Sequence, residues 1–174
     1  MTNDCAQDKG KEMTVKDLIK EYRGNTCPVG ALIVLHYRIG VLLRERRSRV
    51  FWWLPSLVYR AYYARVFCPL IGIYLPLACS IGEGLRVFHG FGLVVHPASR
   101  IGKNVVLRHG VTIGSKCDDG GAPVVGDGVD VGAGAILLGE ISVGEGTHIG
   151  AGAVVTTTVP SGRVVVGNPG RVIK

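Results

Sequence analysis

The chain lacks most of the signatures that announce a function. Aromatic side chains make up 7% of its 174 residues, and methionine occurs twice. Its five cysteines (Cys5, Cys27, Cys68, Cys79, Cys117) are odd in number and form no C-x-x-C, which argues against a disulfide framework or zinc ribbon and for reduced thiols in a cytoplasm. No apolar stretch reaches 18 residues without a charge, so no transmembrane span is expected. Residues 1–12 are polar and mixed in charge, unlike a secretory signal, and read as a disordered lead-in. There is no phosphate-cradling loop, no dinucleotide fingerprint and no G-x-S-x-G nucleophile. Zinc-finger spacing, RNP-like motifs and a basic zipper are also missing, so no nucleic-acid partner is expected despite a net charge of +7.

What the chain does have is glycine, 26 residues of it, and a period. Isoleucine, leucine or valine recurs every six residues: Ile81, Val87, Leu93, then Ile101, Leu107, Ile113, then Val125, Val131, Leu137, Val143, Ile149, Val155. No α-helix or ordinary hairpin keeps a strict six. A parallel β-helix does, because each short strand and its turn consume six residues and return an apolar side chain to the interior. With three strands per coil, the repeat predicts about four coils stacked roughly 4.8 Å apart. Two irregularities interrupt it. The eight residues from Leu93 to Ile101 predict a widened turn around His96 and Pro97, and the twelve from Ile113 to Val125 predict one oversized turn, Ser115 to Pro123. Loops leaving a solenoid usually belong to its binding surface.

Ahead of the rod, Thr14 followed by Asp17 predicts a helix start, with the helix running to about Tyr22. Pro28–Leu43 and Phe51–Phe67 are further helical candidates, separated by Arg44, Arg46, Arg47 and Arg49. Residues 1–80 hold twelve Lys/Arg against six Asp/Glu, so the basic surplus lies outside the rod. These helices are expected to pack on the rod or a neighbouring subunit. Trp52, Trp53 and the arginines also suit peripheral contact with an anionic membrane surface. The organisation expected is therefore a lead-in (1–12), a helical segment (13–75), the β-helix (76–159) and a C-terminal cap (160–174).

The period also ranks the histidines. His89 and His109 each follow an inward rung residue, Val87 and Leu107, by two positions, which places them at one corner on adjacent coils. A neutral imidazole can take a proton from an attacking hydroxyl, and a second one nearby disfavours double protonation. His96 reads as a turn residue, His148 as surface and His36 as packing. With no nucleophile motif, direct transfer through a ternary complex is favoured over a covalent intermediate. A corner glycine such as Gly110 offers a backbone N–H to an oxyanion. Two other readings compete: a metal-dependent hydratase of the carbonic anhydrase type, which needs three convergent histidines where two stack, and a non-catalytic scaffold.

Val87-Phe88-His89-Gly90, Arg108-His109-Gly110-Val111-Thr112-Ile113-Gly114, Ile149-Gly150-Ala151-Gly152-Ala153-Val154-Val155 and Val166-Gly167-Asn168-Pro169-Gly170-Arg171-Val172-Ile173 together resemble the hexapeptide-repeat acyltransferases. The likeness is to their serine acetyltransferase-like branch, with the closest look to the colanic acid and other exopolysaccharide O-acetyltransferases. The resemblance implies a mainly β fold, a left-handed parallel β-helix with an N-terminal α-helical segment. It further implies a homotrimer with sites between rods, acetyl-CoA as co-substrate and no metal. His89 matches the general base, with His109 beside it. Ala133, Ala151 and Thr156 match the turns that hold the pantetheine arm. Thr157 and Arg171 match contacts to the nucleotide end, with Arg163 and Lys174 as added phosphate charge.

Departures from the serine enzymes shape the expected acceptor. Tyr74 stands where an aspartate orients the base, Phe88 where an acid reads the serine amine, and Gly121-Ala122 where an Arg-His pair reads the carboxylate. Tyr74, Phe88, Asp118 and Asp119 are the candidate acceptor-binding residues. A zwitterionic amino acid needs charged partners that a sugar hydroxyl does not. The expectation is acetylation of a sugar hydroxyl on a bacterial surface polysaccharide or its lipid-linked precursor, in the cytoplasm or at the inner membrane face, with serine O-acetylation as the alternative.

Overall fold

In the computed structural model the chain is described over residues 14–46, 51–117 and 120–173. The lead-in, Arg47, Arg49, Asp118, Asp119 and Lys174 lie outside the described residues. The six-residue period becomes a three-sided parallel β-helix. One sheet stacks β1 (Ser80–Ile81), β4 (Arg100–Ile101), β7 (Val124–Val125) and β10 (Ser142–Val143). The second begins with β2 (Arg86–Phe88), β5 (Val106–Arg108), β8 (Asp130–Val131) and β11 (His148–Ile149), then adds β13 (Val164–Val166) and β14 (Arg171–Val172). The third holds β3 (Val94–Val95), β6 (Thr112–Gly114), β9 (Ile136–Leu138) and β12 (Val154–Val155). Val87 pairs with Leu107, and Ile81 pairs with Ile101, as the period requires. Within the tail, β13 continues the second sheet in parallel, and only β14 folds back antiparallel across it.

The register corrects one step of the count. Ile113 pairs with Val95, not Leu93. Each rung buries two side chains two residues apart, such as Val111 with Ile113 or Ala135 with Leu137. Leu93 is the inner partner of Val111, so a count through Leu93 runs two residues out of phase. The two extra residues therefore lie in the turn between β2 and β3, which carries His89, and the His96 turn has the regular length. His96 there accepts the Ala98 amide through Nδ1 at 3.2 Å, as a turn residue does.

The helices form where their start signals stand. Thr14 closes a capping box with Asp17 ahead of α1 (Val15–Gly24). Pro28 occupies the first turn of α2 (Pro28–Glu45), where a missing N–H is harmless. α3 (Trp53–Tyr62) runs through a π-helical turn at 63–67 into α4 (Cys68–Ile71), which ends on Gly72 in the left-handed region, φ 71°. His36 stacks on Phe67 with centroids 4.1 Å apart, which is packing. α2 lies so tightly on β2 that a Cβ at Gly30 would stand 1.7 Å from the Val87 carbonyl oxygen. Buried Tyr37 donates to the Cys79 carbonyl at 2.6 Å, tying the same helix to the first coil. Tyr37→Phe should lower stability by about 1–3 kcal/mol in urea unfolding, since it leaves that carbonyl without its donor.

Candidate functional site

The first coil has an open edge, and side chains from the helices close it. Along β2 and the turn after it, alternate backbone N–H groups find side-chain acceptors. Leu85 donates to Glu21 Oε1 at 2.9 Å, Val87 to Asn25 Oδ1 at 2.8 Å and His89 to Cys27 Sγ at 3.3 Å. Asn25 also donates to the Leu85 carbonyl at 2.9 Å. The row does for this edge what a further strand would do, satisfying groups that burial would otherwise leave unpaired. It ends at the turn that holds His89.

That turn is strained. His89 adopts φ 66°, rare outside glycine, and Gly90 and Gly92 follow it in the same region. The geometry turns the exposed His89 ring toward His109, with centroids 6.1 Å apart and planes at 65°. The corner thus brings the two histidines together as the period required. The inserted residues change the ladder beneath them: the Gly110 amide donates to the carbonyl of Phe91, not His89. Half-exposed Phe91 is therefore a further residue of this corner.

The oxyanion expectation needs correction. The amides of Gly92, Gly110, Gly134 and Gly152 donate to the carbonyls of Gly72, Phe91, His109 and Ala133, all at 2.8–2.9 Å. The corner glycines spend their N–H groups on the ladder between coils, so Gly110 has none to turn toward an oxyanion.

Beside His89, the Phe88 ring lies under the Arg108 guanidinium at 5.7 Å. Arg108 is held by the Asp130 carboxylate and donates to the Val131 carbonyl at 3.2 Å; the carboxylate raises its pKa further. The Arg108 charge beside this corner is therefore already committed. Tyr74 is exposed and bridges to Val94 at the base of the third sheet.

One rod does not gather the expected acetyl-CoA residues. Ala133 and Ala151 continue the histidine corner, with the Gly152 amide donating to the Ala133 carbonyl. Thr156 and Thr157 follow β12 at the opposite end of the third sheet, and Lys116 Nζ reaches the Thr156 carbonyl at 3.1 Å. Arg171 lies exposed on β14, and Arg163 is exposed before β13. The stems of the long turn also leave from that opposite end, between β6 and β7. Within one rod the turn is therefore not beside the histidines.

Cys27 is the functional candidate that spacing along the chain could not reveal. Its Sγ lies 4.0 Å from His89 Nδ1 across 62 positions. The Gly30 amide at the start of α2 lowers its thiol pKa most, burial opposes this, and the His89 and Val29 amides add to the lowering. Burial instead raises the Cys68 thiol, and pushes Cys79 up to about 12. Among the described residues, no three His, Cys, Asp or Glu side chains gather as a metal-binding set. No helix among the described residues is long and apolar enough to cross a membrane.

No family model matches the chain. Serine acetyltransferase 2 of Arabidopsis thaliana is 32% identical over 176 residues, covering 96% of this chain and 53% of the relative. The chain spans about half the length of the curated relatives it matches. Among solved structures, soybean serine acetyltransferase apoenzyme superposes with a TM-score of 0.74 at 35% identity, covering 91% of this chain and 68% of that one. The Brucella abortus serine acetyltransferase in complex with coenzyme A gives 0.72 at 28% identity, covering 91% and 66%. The kinship so measured is with serine acetyltransferases, the acceptor class placed second on sequence grounds.

Proposed function

The chain belongs to the hexapeptide-repeat acetyltransferase family, with serine acetyltransferases as its homologues, and from that membership we propose that it is an acetyl-CoA-dependent O-acetyltransferase. The observation that carries the reaction is the histidine corner, where His89 is held in a strained turn facing His109. The acceptor O–H gives its proton to His89 Nε2 while its oxygen bonds the thioester carbonyl carbon. The C–S bond then breaks, and the departing CoA sulfur takes the proton back from the imidazolium. His109 orients His89 or the acceptor. The reading calls for a homotrimer, because residues matched to acetyl-CoA binding lie at different corners of one rod and would converge between rods.

The relatives' names make L-serine the first acceptor. A second acceptor class, an uncharged sugar hydroxyl of a surface polysaccharide or lipid-linked precursor, is favoured by the site itself. Phe88 and Phe91 flank the base, Tyr74 is exposed nearby, and the Arg108 charge is already paired with Asp130. Apolar rings suit the C–H faces of a sugar, whereas an amino acid brings two charges that need partners. CoA release from acetyl-CoA, measured with L-serine and with neutral sugars, separates the two. Turnover on serine at least tenfold above the sugars selects the first, and the reverse ratio selects the second. No release with any hydroxyl acceptor sinks the reaction class. Reduced thiols and acetyl-CoA both suit a cytoplasmic location. Exposed Trp53, Leu54, Leu57 and Val58 on α3, together with Arg60 and Arg65, suit contact with an anionic inner membrane face.

A further inference from the structure

We propose that Cys27 is the positioning residue of the base, its sulfur accepting the Nδ1–H of His89 and so leaving Nε2 unprotonated toward the acceptor. The inference rests on the acyl-transfer reading of the same corner. Its geometry is independent of that reading. Sγ already accepts the His89 backbone N–H at 3.3 Å and stands 4.0 Å from Nδ1. Contacts of this kind are often long without substrate and tighten in the complex. One atom therefore holds both the backbone and the ring of a residue at φ 66°.

Among the described residues, Cys27 Sγ is the hydrogen-bonding contact of the His89 ring. The groups facing His89 are Cys27 from the start of α2, His109 from the β5–β6 corner, and the Arg108–Asp130 pair over Phe88. Asp130 is occupied by Arg108, and the position matched to an orienting aspartate holds Tyr74, which has no carboxylate to offer. The sulfur is itself firmly placed. Cys27 precedes Pro28, the residue that starts α2, and closes the row in which Glu21 and Asn25 hold Leu85 and Val87. The amides of Gly30, His89 and Val29 that lower the Cys27 thiol pKa favour the thiolate, which has no proton of its own to place against the Nδ1–H.

An acceptor on Nδ1 stabilises the imidazolium that forms as the proton arrives, and it fixes the tautomer. Cys27→Ala should therefore reduce kcat roughly tenfold or more, with KM for acetyl-CoA within about twofold. The acid limb of the kcat/KM profile should move to lower pH, since losing the acceptor makes His89 harder to protonate. Cys27→Ser, which keeps an acceptor, should recover part of the kcat. Unchanged kcat and acid limb in Cys27→Ala would overturn the proposal, as would a loss of activity that follows only the loss of folded protein and is shared by Cys27→Ser. A second measurement needs no turnover: His89 imidazole titration by NMR in the wild type and in Cys27→Ala. A shift of the titration midpoint supports the contact and an unshifted midpoint refutes it. Should the wild type release no CoA from acetyl-CoA, the acyl-transfer reading fails while this titration still decides the Cys27–His89 contact.

Discussion

Removing the His89 imidazole should cut acetyl transfer by about two to four orders of magnitude in kcat/KM, the range general-base catalysis supplies. The choice of variant matters because His89 sits at φ 66°. Alanine is strained there, so His89→Ala mixes lost chemistry with lost stability. Asparagine enters the left-handed region more readily and offers no base near neutral pH. His89→Asn should therefore match the loss in His89→Ala while melting within a few degrees of the wild type. Because the side chain is exposed, neither variant removes core packing. CoA binding by calorimetry should persist in both, since the turns matched to the pantetheine arm, at Ala133, Ala151 and Thr156, lie on later coils than His89. His109→Ala should cost less, on the order of tenfold, if it orients and does not itself carry the proton. Full activity in both His89 variants would leave the corner without a catalytic role.

How far the sequence reached follows from what each signal measures. Periodicity reports which residues turn inward, so the β-helix, its coil number and the His89–His109 corner were all legible. It does not report phase where a strand buries two residues. Leu93 and Val95 are equally buried, and only the pairing of Val95 with Ile113 shows that the extra residues lie in the His89 turn. Glycine spacing marks tight corners but says nothing about where their amides point, which is why Gly110 was a false oxyanion donor. Cys27 was invisible for another reason. Its partnership with His89 spans 62 positions and depends on α2 packing against β2, a contact made by Gly30 with almost no room to spare. Local motif searches weigh neighbours in sequence, and this pair has none.

A buried ion pair braces that packing, and breaking it should give the largest stability loss of any single change proposed. Arg38 donates to both carboxylate oxygens of Glu21 at 2.8 Å and to the Ile81 carbonyl at 2.8 Å, and both side chains are almost fully buried. Glu21 in turn accepts the Leu85 amide. Arg38→Ala leaves a carboxylate and the carbonyl of Ile81 without their donor in the interior, at a cost of about 3–5 kcal/mol. That is a large share of the roughly 5–15 kcal/mol that holds a domain folded. The urea midpoint should fall accordingly. Replacing both partners, as in Glu21→Gln with Arg38→Met, should cost clearly less than Arg38→Ala, because no charge is then stranded. If the single change costs no more than the double, the pair is not what anchors the helices. The consequence for function follows from position. Leu85, held by Glu21, begins the row that ends at Cys27 and His89, so loosening its first member should free the turn at its last. Arg38→Ala should therefore lose more acetyl transfer per folded molecule than the double variant, although Arg38 touches neither histidine.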